Sequence, residues 1–516
     1  TSCEAPLAGG GAKEGERAFL KKRMTSMGRF AMQSETSENP SMPTFFLALS
    51  GEKPFTVTDF VTQWTRQSMH LRHPRFHSRV SHDDRGYFLQ LEDTINAVRA
   101  HVSEHLHTFA YRNDLKKRIE SCLLEPMDLM DRLWEVQISS GPLGSSGAIG
   151  RAKVDASQKE SVNSKPTTES VLLFRAHHAL GDGVSLVAAV SDLCDEAQEL
   201  REMVQKEIRR RKEKFMKLGF LKKLTKYLQR LVWLCFGSIQ ALLSHSLLLA
   251  TTPSNPFDEI RRLSKTTRRK GRSISWCDVA PLDEVKSVAK ALGDKGTTVN
   301  DVFVSCVTAA VARQIAQHRA RMTSLDGTDS NSKQCLALSK NLNVVIPVHL
   351  GGGILLPGKS VGNNIGAIVA RVPGEMDYTT AASTRLGKVH SALASVKNSP
   401  APILSFAIAK FCSSYLPENW TKSMFVRSNA NASVVVTNTR GSPKKLHLNG
   451  HTVESSHGFL PLPPGIPIGV VVQSYAGVVS LSLTAEPFAV PDADQFLSWV
   501  VEEYKRLSDE AMQTTV

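Results

Sequence analysis

The segment Phe174-Arg-Ala-His177-His178-Ala-Leu-Gly181-Asp182-Gly183 runs from a β-like stretch into a turn and out towards a helix. Residues 171–174 and 176 are apolar around Arg175, Gly181 and Gly183 flank a tight turn, and an amphipathic run over 186–199 reads as a helix. A histidine at a strand end has its backbone fixed by the sheet while its imidazole is presented to a cleft. Its pKa lies near enough to neutrality to take a proton from a hydroxyl and return it. Asp182 can hold the turn by a hydrogen bond or ion pair, and Gly183 can take φ > 0 without steric cost. Two histidines in this setting point to acid–base chemistry.

Working outward, strands are expected at 134–138, 171–176, 341–348, 367–372, 433–437, 467–475 and 478–484. Tyr475-Ala-Gly-Val478 reads as the turn of a hairpin joining the last two. A helix is expected at 299–318, with Thr298 as N-cap. Strands interspersed with helices, some joined by hairpins, predict a mixed α/β fold. Residues 139–169 and 321–333 have the composition of surface loops.

The chain of 516 residues carries 63 Lys+Arg against 49 Asp+Glu. That excess is local: residues 201–272 hold 19 basic and 5 acidic side chains, so the remainder is close to neutral. A uniformly basic surface, and with it general nucleic-acid binding, is excluded. With 41% hydrophobic and 22% charged residues, the chain can bury a large core and is not disordered at large. The eight cysteines are scattered without a C-x-x-C pair, which argues against a disulfide scaffold or zinc knuckle and fits a reducing compartment. The first residues lack the charged-then-apolar pattern of a signal peptide, and the chain starts on Thr, so further residues are expected before it.

Within the basic region, apolar residues recur at helical spacing from Phe215 to Leu231, with Lys217, Lys222, Lys223 and Lys226 between them. This is the pattern of a basic amphipathic helix on an anionic membrane surface. Residues 231–250 then carry no charge, a length sufficient to span a bilayer, although Ser238, Gln240, Ser244, His245 and Ser246 interrupt it. A single crossing would put the two flanking halves on opposite faces. If the two halves share one site, a segment over 215–250 that dips into or lies in one leaflet is expected instead. The chain divides into a tail (1–23), a first lobe (24–200), a membrane-associating linker (201–272) and a second lobe (273–516).

The segment 177–183 resembles the HHxxxDG signature of CoA-dependent acyltransferases. His73-Pro-Arg-Phe76, Leu133-Trp-Glu-Val136, Asn300-Asp301, Gly362-Asn-Asn-Ile-Gly366, Asn438-Thr-Arg-Gly441, Pro461-Leu-Pro463 and Ser474-Tyr-Ala-Gly477 occur in that order. Together they resemble the bifunctional wax ester synthase/diacylglycerol acyltransferase family over roughly residues 24–507. Two departures are the 139–169 insert and Ser442, which stands where the family motif has Pro. The resemblance implies two chloramphenicol-acetyltransferase-like lobes with the active site in a channel between them. It implies His178 as general base, with Asp182 and Gly183 supporting the turn and His177 secondary. Asn300, Asp301, Asn438 and Gly441 are candidate substrate contacts, although Asn300 and Asp301 also suit a helix cap. No cofactor is implied, because acyl-CoA is a substrate. The acceptor would be a fatty alcohol or diacylglycerol, and the location the cytosolic face of the endoplasmic reticulum membrane or a lipid droplet.

Other readings are a superfamily relative with a different hydroxyl or amine acceptor, and an idle lipid-surface protein; the intact His178, Asp182 and Gly183 disfavour the latter. Gly353-Ile-Leu-Leu-Pro-Gly-Lys-Ser360 fits the P-loop pattern, but a loop and strand rather than a helix are expected after it, and Pro357 lacks an N–H. His101, His105 and His107 have metal-like spacing without an H-E-x-x-H motif, so no metal is expected.

Overall fold

A computed structural model describes residues 21–83, 86–91, 98–104, 112–140, 168–217, 220–251, 255–263, 271–325, 341–351, 361–374 and 381–515. The first-half strands are β1 (Lys21–Arg23), β2 (Thr44–Gly51), β3 (Ser78–Asp83), β4 (Gly86–Leu91), β5 (Val102–Glu104), β6 (Trp134–Ser140) and β7 (Thr168–Ala176). Those of the second half are β8 (Ser273–Pro281), β9 (Asn341–His349), β10 (Ile365–Pro373), β11 (Val434–Arg440), β12 (His447–Leu448), β13 (His451–Phe459), β14 (Ile468–Tyr475) and β15 (Val478–Ala485). They form a small sheet β1-β4-β3 and two large mixed sheets, β12-β13-β2-β7-β6-β5 and β10-β9-β11-β14-β15-β8. Each of the seven strands expected from sequence is present, extended by a few residues in several cases.

The central strand β7 is buried without interruption from Ser170 to Ala176, which explains why its sequence is mostly apolar on both faces rather than alternating, the charged exception Arg175 being paired with Glu135 at 2.8 Å. The β14–β15 hairpin turns through Ala476 (φ 48°) and Gly477 (φ 80°). Two consecutive positive φ values are what a tight turn needs to match strand twist.

The two large sheets are interlocked. After β11 the chain leaves the second sheet, forms β12 and β13 in the first, and returns as β14. β13 pairs antiparallel with β2, Phe459 opposite Thr44 and Thr452 opposite Ser50. A core between the sheets joins Phe46 of β2, Phe459 of β13 and Trp276 of β8, with Phe46 and Trp276 ring centroids 5.3 Å apart. The division at 200 and 273 is thus not a spatial one, because residues 447–459 complete the first lobe's sheet.

Three helical expectations are corrected. The run 186–199 is two helices, Gly183–Leu193 and Ala197–Met216. The break between them is where β12 docks, Asp195 N–H donating to His447 O (2.8 Å) and His447 N–H to Glu196 (2.9 Å). The helix at 299 continues to Leu325, into part of the segment expected as loop. The amphipathic pattern from 215 to 231 is divided between the end of one helix at Met216 and the start of another, Phe220–Thr251. No helix among the described residues is long and apolar enough to cross a membrane.

Helix Phe220–Thr251 touches the body along Leu234, Gly237, Ser238 and Ala241, which recur at helical spacing and are partly buried. Gly237 is needed there, since a Cβ would lie 2.8 Å from the Pro400 ring. Trp233 Nε1–H donates to Asn398 O at 2.7 Å. The other side exposes Leu228, Leu231, Val232, Phe236, Ile239 and Leu243. Large apolar side chains left in water each forgo roughly 1.5–3 kcal/mol of burial free energy.

The P-loop-like segment, His105, His107 and residues 141–167 of the 139–169 insert lie outside the described residues, whereas 139–140 and 168–169, expected as loop, belong to β6 and β7. His101 is buried, with its Nδ1 on Trp134 O (2.9 Å), and no metal-ligating cluster occurs among the described residues.

Candidate active site

His178 follows β7 and borders a cavity of about 980 Å³. Its Nδ1 lies 3.2 Å from Gly181 O. A carbonyl only accepts, so the proton sits on Nδ1 and the lone pair on Nε2. Among the described residues no protein group occupies Nε2. The backbone is held on both sides: His178 N–H donates to Ser41 O (2.9 Å), and His178 O accepts from Asn363 Nδ2 (2.7 Å). The ring is packed by protein on most sides and keeps a partial opening to the cavity. Burial, followed by the neighbouring His177, lowers its pKa to about 4, against the opposing pull of Asp182 and Gly181 O. His178 is therefore a neutral acceptor at physiological pH.

Asp182 caps helix Gly183–Leu193, one carboxylate oxygen accepting from Ser185 N–H at 2.8 Å. Its other oxygen accepts from Asn364 N–H at 2.7 Å. Asp182 N–H and Ser185 Oγ–H both donate to Gly362 O (3.0 and 2.8 Å). The Gly362–Gly366 motif, from the second half of the chain, thus clamps the histidine turn through backbone groups. The His73–Phe76 motif supports it from the other side: Val361 N–H donates to His73 Nδ1 (3.3 Å) and Arg75 to Leu180 O (3.3 Å). Gly183 does not take the expected φ > 0. It is the first residue of the helix, open space surrounds the position of a Cβ, and it borders the cavity.

His177 points away from this turn. Ala179 N–H donates to its Nδ1 (3.0 Å), so its proton lies on Nε2, which faces Glu35 at 3.1 Å. Glu35 also accepts from Ser41 N–H at 3.2 Å. Burial alone would raise its carboxyl, but the bond and charge of His177, the Ser41 amide and Lys422 together hold it below the usual range. Glu35 borders the cavity and was not recognisable in sequence.

The cavity wall is mostly apolar, including Met27, Phe45, Leu47, Val187, Leu404 and Phe425. Its volume is at the upper end for small-molecule sites. Gly441 borders it as well. A Cβ there would meet Ser474 O at 2.8 Å, so glycine permits the close approach at the end of β11, and Gly441 N–H donates to that oxygen (2.8 Å). Asn438 is exposed, with Thr437 and Thr439 facing the cavity instead, because side chains alternate along β11. Asn300 and Asp301 do not border the cavity either. Asp301 forms a reciprocal cap with Thr298, its carboxylate accepting from Thr298 N–H at 2.9 Å. It also pairs with His390 (3.1 Å) and Lys397, tying helix Val299–Leu325 to helix Ala382–Lys397. Asp301 therefore serves the fold of the second lobe, whereas Asn300 Oδ1 is buried without a partner among the described residues.

Residues 168–303 match the wax ester synthase/diacylglycerol acyltransferase catalytic domain, and residues 361–508 match the C-terminal domain of the same family. "Wax ester synthase/diacylglycerol acyltransferase 5" of Arabidopsis thaliana is 22% identical over 88% of this chain and 88% of its own. In fold, the chain is similar to the wax ester synthase/diacylglycerol acyltransferase from Marinobacter aquaeolei VT8, with a TM-score of 0.55, 17% identity, and 95% of this chain and 100% of that one covered. It is also similar to the trichothecene 15-O-acetyltransferase from Fusarium sporotrichioides (TM-score 0.56, 12% identity, 94% and 95% covered). The two domain matches cover more than half the chain and meet a histidine turn clamped between two interlocked sheets: the chain belongs to the wax ester synthase/diacylglycerol acyltransferase family.

Proposed function

We propose that this protein transfers a long acyl group from acyl-CoA to the hydroxyl of a fatty alcohol, a diacylglycerol or both, with His178 as general base. The observation that carries the assignment of the base is its fixed tautomer: Nδ1–H is tied to Gly181 O, so Nε2 offers its lone pair at the cavity. The acceptor oxygen attacks the thioester carbonyl as its proton passes to Nε2. The tetrahedral oxyanion collapses, the C–S bond breaks, and the thiolate takes the proton back from the imidazolium. Such proton transfer contributes ~10²–10⁴ in rate. No covalent acyl-enzyme is required. Asp182, Gly183 and His177 position the turn.

The family assignment supports the acyl donor and the acceptor class. The location is our inference: a cytosolic lipid surface, at the endoplasmic reticulum or a droplet, supported by the basic excess in 201–272 and the exposed apolar face of helix Phe220–Thr251. Near-surface Lys and Arg each contribute about 1 kcal/mol on anionic membranes. Purified protein given labelled palmitoyl-CoA with hexadecanol or diacylglycerol, offered separately, should yield the labelled ester of at least one. Release of free palmitate alone would sink the reading. Asn419-Trp-Thr421 and Asn431-Ala-Ser433 should stay unglycosylated in a eukaryotic host; endoglycosidase-sensitive sugar on either would refute the cytosolic placement.

A further inference from the structure

Helix Phe220–Thr251 is not the only element with an uncovered apolar face. Helix Ala401–Tyr415 packs against it and exposes Ile403, Ile408, Phe411 and Tyr415, the latter two with ring centroids 5.1 Å apart. The neighbouring helix Glu418–Asn429 exposes Trp420 and Met424. These three helices hold seven Lys or Arg and a single acidic residue, Glu418. The same helices are a wall of the His178 cavity. Trp233, Leu242, Ile408 and Met424 border the cavity and are also 37%, 46%, 40% and 46% exposed. A side chain that meets both the cavity and the outside marks an opening between them; its rim is apolar at these four positions, with the polar Gln240, Ser395 and Asn398 beside them.

We propose that this three-helix face docks on an anionic lipid surface and that the acceptor lipid enters laterally, through the portal rimmed by Trp233, Leu242, Ile408 and Met424, without crossing water. The proposal rests on the reading of a lipid hydroxyl as acceptor. An apolar face with a nearly acid-free, basic setting complements hydrocarbon bounded by anionic headgroups. A water-soluble protein partner would meet the same apolar groups but would not require the portal to open through them. A long-chain alcohol or diacylglycerol resides in lipid and has little presence in water, so an apolar route from lipid to cavity avoids exposing the chain.

The protein carries its own reporter. Of its six tryptophans, Trp64, Trp134, Trp276 and Trp499 are buried, whereas Trp233 and Trp420 are exposed on this face. Vesicles of phosphatidylcholine and phosphatidylserine with brominated chains should quench the intrinsic fluorescence of the full chain. The double variant Phe236→Asp/Phe411→Asp, which alters the face but not the cavity lining, should lose most of that quenching and at least tenfold in transfer to vesicle-held hexadecanol. Its transfer to a short water-soluble alcohol should remain within about twofold, which also shows that it folds. The portal variant Leu242→Trp/Ile408→Trp should keep vesicle binding yet lose transfer to vesicle-held acceptor. Absence of quenching in the wild type, or a dimer in sedimentation that the double Asp variant dissociates, would overturn the docking surface. Wild-type turnover of vesicle-held acceptor by the portal variant would overturn the route. Quenching reads binding independently of catalysis, so a protein that binds vesicles but acylates no alcohol would refute the proposed reaction and leave the docking surface standing.

Discussion

At the level of single residues, the environment of His178 fixes a pH dependence. Its pKa is lowered to about 4 from an ordinary 6.5, so the base form is already complete at pH 6. The acid limb of kcat/KM should therefore fall near pH 4, and activity should be level between pH 6 and 8. An acid limb near 6.5 would show that the imidazole is solvated and that the tautomer argument fails. His178→Ala should lose ~10²–10⁴ in turnover, with little change in melting temperature. Glu35 offers a second test. Glu35→Gln can still accept from His177 and Ser41 but removes the negative charge beside the histidine pair. Turnover should fall roughly tenfold, about 1.4 kcal/mol of transition-state stabilisation, while unfolding by urea is little changed. Unchanged kcat would reduce Glu35 to a packing role. His178 was legible because strand end, turn and helix start are contiguous in sequence. Glu35 was not, since it reaches His177 across 142 positions and nothing local distinguishes it from other surface glutamates.

At the level of elements, the start of helix Gly183–Leu193 is where cap and clamp coincide. Asp182 accepts one backbone N–H from its own helix and one from Asn364 across the lobes. Asp182→Ala removes both and leaves two donors unpaired, a cost of roughly 2–4 kcal/mol. Asp182→Asn retains one carbonyl oxygen and should cost about half that, with activity following stability. Complete inactivation of both at unchanged melting temperature would instead identify a carboxylate that takes part in the chemistry. The sequence reading misjudged elements where a local signal has two physical causes. Asp301 of the Asn300-Asp301 pair, a candidate substrate contact in the sequence, is a cap, because a carboxylate at a helix start suits either demand, whereas Asn300 Oδ1 has no partner among the described residues. The helix break after Leu193 has no glycine or proline to announce it. It is imposed by a strand more than 250 positions away in sequence, whose His447 occupies Glu196.

At the level of the whole molecule, three histidines, two buried and one half-buried, make acid a destabilising condition. Burial lowers His77 and His178 to about 4 and His457 to about 3, with neither ring nitrogen of His457 hydrogen-bonded and its Nε2 3.9 Å from Asp278. Below pH 6.5 the unfolded chain takes up protons that the native state refuses until about pH 4. Their contribution is whole above pH 6.5 and is lost as pH falls, at about 1.4 kcal/mol per pH unit for each histidine. His457→Phe should make the loss between pH 7 and 5 shallower, as measured by urea unfolding. Parallel loss in wild type and variant would exclude His457 as a contributor.

The strand β13 has a consequence for how the protein is made. On a ribosome, β2 emerges early, yet the partner for its open edge is translated some four hundred residues later. Through most of synthesis the first sheet carries an unpaired edge beside β7, the kind of surface that invites pairing with another chain. A fragment ending at residue 272 should therefore be insoluble by itself, and co-expression of 273–516 should recover soluble, paired halves. A soluble, monomeric 21–272 would show that the first lobe closes its sheet unaided. Birth order, rather than the finished fold, then sets this chain's demand for chaperones, and a pause or truncation before residue 459 would be more damaging than one after it.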